Sequence, residues 1–167
     1  SYATLEKVET IVNSKDLSEI KAFESYAFNN DETKLLLGVE EESIYRHSSL
    51  GIFYAYDLTS KSLQLIDKEK IQEPTFSPDS KKVAYVKNNN IFIKNLETNI
   101  VVQVTSDGKK NEIINGICDW VYEEEFSFVR AFEWSADSRN IAFMRSATNS
   151  SSPSQSPTWF CSNRNVS

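Results

Sequence analysis

Phe76-Ser77-Pro78-Asp79-Ser80-Lys81-Lys82-Val83-Ala84-Tyr85 decides the fold. An aromatic residue leads into a polar turn, and the turn leads into an apolar run suited to a buried strand. Asp79, at the fourth position, can accept backbone hydrogen bonds inside the turn and fix its shape. The unit recurs twice. Phe28-Asn29-Asn30-Asp31-Glu32-Thr33-Lys34-Leu35-Leu36-Leu37 precedes it, and Trp134-Ser135-Ala136-Asp137-Ser138-Arg139-Asn140-Ile141-Ala142-Phe143 follows. Each copy keeps the leading aromatic, the Asp, and a basic residue at the sixth or seventh position.

A second hairpin pattern follows the first two copies. Phe53–Leu65 and Ile91–Val102 both read strand, polar turn, strand, rich in apolar and β-branched residues. Two hairpins per unit give a four-stranded blade. The copies start 48 and 58 residues apart, slightly longer than the roughly 40–50 residues of propeller repeats. The expected class is all-β: an incomplete β-propeller of about three four-stranded blades. A closed ring takes about four to eight. The rival is a β-sandwich, whose strands also alternate but need not repeat this unit. An open blade edge is sticky, so the isolated chain is expected to be poorly soluble. The stretch from Leu5 to Phe23 is weakly amphipathic, possesses helical character at its start, and leads into the first blade.

The longer second gap holds Asp119-Trp120-Val121-Tyr122-Glu123-Glu124-Glu125-Phe126. Adjacent ionised carboxylates disfavour one another, and this triplet lies among aromatic residues that favour burial. A carboxylate cluster on an aromatic base suits a cation such as a peptide ammonium or a metal ion. The plainer alternative is a solvated acidic surface, since Asp and Glu are rarely buried.

Composition bounds the rest. The chain has 167 residues, 40% apolar and 25% charged, with net charge -6, as expected for one soluble domain or part of a larger one. No basic stripe points to nucleic acid. No apolar run approaches the ~18 residues of a membrane span. Two cysteines, Cys118 and Cys161, are too few for a disulfide framework or a zinc site. Cys118 is expected to be a small buried thiol. No cofactor is expected. There is no signal peptide, and Met144 is the only methionine, so Ser1 is not expected to be a natural start. From Ser146 to Ser167 there are eight Ser, two Pro and no acidic residue. That composition reads as a linker or disordered tail without strand period. The glycosylation patterns at Asn149 and Asn165 there are expected to be chance matches. The division is therefore 1–145 partial propeller and 146–167 disordered or aberrant tail.

Asn115-Gly116-Ile117-Cys118-Asp119-Trp120-Val121-Tyr122-Glu123-Glu124-Glu125-Phe126 resembles the double-glutamate signature of the dipeptidyl peptidase IV family, serine exopeptidases of the prolyl oligopeptidase class. Tyr45-Arg46-His47-Ser48, followed by a strand ending Tyr56-Asp57-Leu58, resembles that family's propeller segment with a substrate-contacting arginine. The resemblance runs from about Ser25 to Arg145, and Phe126-Ser127-Phe128-Val129-Arg130 is most similar to bacterial, Bacteroidetes-like members. It implies a short helical insertion on which Glu124 and Glu125 bind the substrate α-ammonium, with Arg46 contacting a substrate carbonyl. Such a site admits only peptides with a free amino end at a fixed distance from the scissile bond. The family implies release of N-terminal X-Pro or X-Ala dipeptides, export to the periplasm, cell surface or medium, and a homodimer.

Among supporting residues, Glu123 is expected to hold the insertion, since two carboxylates suffice for one ammonium. Trp120 and Tyr122 are expected to brace it. His47 is expected to orient Arg46 or pack beneath it rather than catalyse, having no partner set. Glu40-Glu41-Glu42 reads as a solvated turn, with an ion pair to Arg46 open. No catalytic residue is expected: a Gly-x-Ser-x-Gly elbow is missing, and the resemblance places the triad in an α/β-hydrolase domain absent from this chain, which alone hydrolyses nothing. After Arg145 the family pattern stops, as a one-base frame slip in the coding sequence would produce. Three alternatives stay open: a tripeptidyl or altered-specificity relative, a non-enzymatic propeller that binds proteins, and a cation site at the glutamates, which lacks the oxygen-rich loop calcium needs.

Overall fold

The computed structural model describes residues 10–13, 15, 17, 19–147 and 158–162, with side chains in the last group only at Phe160 and Cys161. Its strands form three four-stranded antiparallel sheets. The first runs in order through β1 (Ser25–Phe28), β2 (Lys34–Ser43), β3 (Ser49–Asp57) and β4 (Leu63–Leu65). The second does the same with β5 (Gln72–Phe76), β6 (Lys82–Lys87), β7 (Asn90–Asn95) and β8 (Val101–Gln103).

The third sheet departs from simple meander order. Its centre is β11 (Ile141–Ala147), paired on one edge with β12 (Thr158–Ser162). The other edge is shared by two short strands end to end, β10 (Phe132–Trp134) against Ile141–Phe143 and β9 (Ile113–Asn115) against Arg145–Ala147. The expectation of no strand after Arg145 is thereby corrected. Main-chain pairing with β11 supplies what the Ser-rich composition did not signal. The expected tail residues 148–157 and 163–167, with both Asn glycosylation patterns, lie outside the described residues, as does the first part of the Leu5–Phe23 stretch.

The repeated turns have the chemistry that their Asp residues imply. Asp79 Oδ1 accepts from the Ser77 hydroxyl at 2.6 Å and the Lys81 N–H at 3.1 Å. Asp137 accepts from Ser135 and Arg139 at the same distances. Asp31 accepts from Asn29 Nδ2 and the Thr33 hydroxyl. Ser80 and Ser138, one position after the Asp, are left-handed at φ 60° and buried, and each meets the preceding turn. Ser80 Oγ accepts from Asn29 Nδ2 at 2.9 Å, and Ser138 Oγ accepts from the Asp79 N–H at 2.9 Å. The turns are thus joined hydroxyl to neighbour along the three sheets.

Strand alternation sends successive side chains to opposite faces, and apolar layers form between sheets. Leu36, Phe53 and Ala55 of the first sheet meet Phe76, Val83 and Tyr85 of the second. Ala84, Val86, Ile91 and Ile93 then meet Phe132, Ile141 and Phe143 of the third. On the far face of the first sheet, Leu35, Leu37, Val39 and Tyr56 are covered by Leu17 and Ile20 from the preceding segment. Glu40-Glu41-Glu42 lies within β2 at a bulge, not in a solvated turn. Glu41 bonds the Ser25 and Ser49 hydroxyls, and Glu42 pairs with Lys70 at 2.6 Å rather than with Arg46.

Candidate functional site: a carboxylate helix beside an arginine loop

The acidic helix stands on an excursion from one strand line. β9 and β10 would be continuous along β11, but residues 116–131 leave and return at a single point. There the Gly116 N–H donates to Met144 O at 3.0 Å, and the Met144 N–H donates to Ala131 O at 2.8 Å. Gly116 is left-handed at φ 77°, and a Cβ there would lie 2.7 Å from Ile91 Cγ1. Only glycine suits that exit. The two arms run antiparallel through an Ile117–Arg130 bridge and a Cys118 N–H to Val129 O bond of 2.9 Å.

At the tip sits α1 (Trp120–Phe126). Asp119 caps it, its carboxylate accepting from the Val121 and Tyr122 N–H groups at 3.1 and 3.2 Å. Ser127 ends it in the left-handed conformation, φ 53°, its N–H bonded to Glu123 O. Successive helical residues are turned by roughly 100° from one another, so three consecutive glutamates point three ways.

Glu123 points inward and is only 1% exposed. Its Oε1 accepts from the main-chain N–H groups of His47 at 2.5 Å and Ser48 at 2.9 Å. Burial pushes its carboxyl up, but these hydrogen bonds prevail and hold it below the usual range. Glu124 faces the loop between β2 and β3, its Oε2 3.6 Å from Arg46 Nη1, with the side chains 38% and 70% exposed. Glu125 is exposed. The structure therefore brings Arg46, Glu123 and Glu124 together at one place, with Glu125 beside them on the same helix.

The remaining expected residues divide. Tyr122 packs on Cys118, Ala131 and Met144 at the base of the excursion and lies 5.7 Å from the Phe126 ring. Trp120 does not brace anything: it is 58% exposed, because the helix turns it away from that base. His47 is exposed too, and the hydrogen bond it makes to the helix is from its main-chain N–H. Cys118 is buried, and burial, with Asp119 and Glu123 adding, pushes its thiol up to about 12.

Two residues near the site had no signal in the sequence. Glu73 occupies a bulge of β5 at φ 52°. Burial raises its carboxyl, opposed by the Arg130 guanidinium and reinforced by the Glu123 carboxylate. Arg130 donates to Thr75 Oγ1 at 3.2 Å and to Glu133 at 2.6 Å. Among the described residues, no group of three His, Cys, Asp or Glu could hold a metal ion, and no helix is long and apolar enough to cross a membrane.

Known proteins are similar to this chain in sequence and shape. Residues 29–153 match the family model described as the dipeptidyl peptidase IV N-terminal region, which extends past Arg145. Dipeptidyl-aminopeptidase B of Aspergillus niger is 33% identical over 150 residues, covering 87% of this chain and 16% of that protein. A probable dipeptidyl-aminopeptidase B of Podospora anserina is 38% identical over 122 residues, covering 70% of this chain and 13% of that protein. The crystal structure of Porphyromonas gingivalis dipeptidyl peptidase 4 matches with a TM-score of 0.81 and 35% identity, over 97% of this chain and 25% of that one. The chain thus spans a quarter or less of the length of these relatives.

Proposed function

The chain belongs to the dipeptidyl peptidase IV N-terminal region family, and from that premise we propose that it is the substrate-recognition part of a dipeptidyl peptidase IV-like serine exopeptidase. In this reading the three sheets are blades of a larger propeller, and a hydrolase domain of the same parent carries the nucleophile. Glu124 and Glu125 hold the α-ammonium of a peptide, and Arg46 contacts a substrate carbonyl. The observation that carries this is the meeting of Arg46, on the loop between β2 and β3, and Glu124, on α1, at 3.6 Å.

The chemistry supports the assignment. An ammonium has three donors, and two carboxylates can meet two of them with charge-assisted bonds. Arg46 beside Glu124 offsets part of the repulsion between the adjacent carboxylates. Acylating the peptide amine removes the charge and adds bulk, so blocked peptides are refused. The parent then releases X-Pro or X-Ala dipeptides, as an exported homodimer. The likeness to the P. gingivalis structure supports a Bacteroidetes-like origin.

In the full-length parent, where bound peptide would cover the two carboxylates, Glu124→Ala or Glu125→Ala should each cost about 2–5 kcal/mol of recognition. Steady-state kinetics with a free-amino X-Pro substrate, alongside thermal melting of the same variants, measures it. Unchanged kcat/KM in either variant would remove that glutamate from the recognition role, and unchanged kcat/KM in Glu124→Ala would overturn the ammonium reading.

A further inference from the structure

The helix and the arginine loop are both exposed elements, and each is poorly held at its tip. The helix hangs on a two-arm stalk rooted at Met144. Trp120 at its start and Phe126 at its end are 58% and 70% exposed. The loop is closed by the Ile44 N–H to Ser48 O bond of 2.9 Å, and Arg46 at its crown is 70% exposed. An exposed ion pair such as Arg46–Glu124 contributes little to holding two elements together. Among the described residues, the hydrogen bonds that join residues 44–48 to α1 are the two received by Glu123 Oε1.

We propose that Glu123 is a positioning residue: its buried carboxylate pins the helix to the arginine loop and so sets the spacing of Arg46 and Glu124. This inference rests on the ammonium reading of Glu124 and Glu125. Three features single Glu123 out from its two neighbours. It is buried while they are exposed. Its partners are main-chain N–H groups, so the pin acts on the loop backbone, whatever side chain occupies position 47. Those groups belong to the two residues immediately after Arg46, so a displaced carboxylate displaces the arginine's own backbone.

Both bonds converge on one oxygen. An uncharged glutamine keeps that oxygen, whereas alanine leaves two main-chain donors without an acceptor. Aspartate keeps the charge but is one methylene too short to reach.

The test uses the full-length enzyme with Glu123→Ala, Glu123→Gln and Glu123→Asp, and Glu124→Ala in parallel. The readouts are kcat and KM for a free-amino X-Pro substrate, and the rate at which a small organophosphorus probe without an amino group modifies the active-site serine. In Glu123→Ala and Glu123→Asp, KM should rise about tenfold or more, with probe reactivity unchanged. Glu123→Gln should recover most of the affinity. KM unmoved in the Ala and Asp variants, or KM and probe reactivity failing together, overturns the pin. Glutamine no better than alanine overturns it as well. Glu124→Ala without effect overturns the ammonium reading beneath it, a distinguishable result.

Discussion

Three neighbouring glutamates have three different environments: Glu123 is buried, Glu124 faces Arg46 and Glu125 is exposed. The Glu123 carboxyl is held below its usual range by two main-chain donors. A depressed carboxyl adds stability above its unfolded-state pKa and loses it as pH falls through the folded value. Thermal melting from neutral to about pH 3 should therefore show Glu123→Gln less stable than the parent at neutral pH, the gap closing in acid. Glu73 has the opposite sign, because burial raises its carboxyl. A carboxyl raised on folding costs stability as pH rises above its unfolded-state value, so Glu73→Gln should raise the melting temperature at neutral pH but not in acid. A parallel shift of both variants across the whole range would contradict these assignments.

At this scale the sequence was only partly legible. The Asp of each repeat acts through neighbours two residues away, so its role could be read locally. Arg46 and the glutamates were singled out through their resemblance to a known motif, and the structure brings Arg46 and Glu124 within 3.6 Å. The burial of Glu123 was not legible, because its partners are main-chain N–H donors 76 and 75 residues earlier, and any sequence supplies such groups. Trp120 was misread for a related reason. Aromatic residues usually seek burial, but a helix of one to two turns on a stalk has only one inward face, and Tyr122 and Glu123 occupy it.

Among the elements, the excursion depends on its exit. Gly116→Val would place a branched side chain on a left-handed backbone and against Ile91 and Val86. The cost should be about 2–4 kcal/mol, from conformation and overpacking together, read as a loss of denaturation free energy in the parent. Gly116 was visible in the sequence as part of the motif, but not as the exit point, since that depends on Met144 of a later strand. The strands of the first two sheets were legible because period-two alternation and polar turns agree. β12 was not, since its pairing partner, rather than its own pattern, defines it. The glutamates of β2 were misread because a bulge, with Glu40 at φ 52°, turns them aside without ending the strand.

For the whole molecule, the three sheets stack through two apolar layers, so a core change in the layer beside the excursion should be felt at the site. Ile91 is fully buried between the second and third sheets and packs where Gly116 leaves the strand line. Ile91→Ala should cost about 2–5 kcal/mol and should weaken free-amino substrate binding more than an equally buried change at Leu37, on the far face of the first sheet. Equal loss of binding at the two positions would argue against local transmission. The stacking itself followed from the repeat, whereas the cover that Leu17 and Ile20 give the first sheet did not, because no turn or period marks those residues.

The register of the third sheet has a last consequence. Asn115 faces Arg145, Gly116 bonds to Met144, and Phe132 faces Phe143. Splicing Gly116 directly to Phe132 would leave an unbroken ladder, with no residue to spare and none missing. The acidic helix on its two arms is thus a detachable appendage, and its scaffold could carry a different graft at the same socket or none at all.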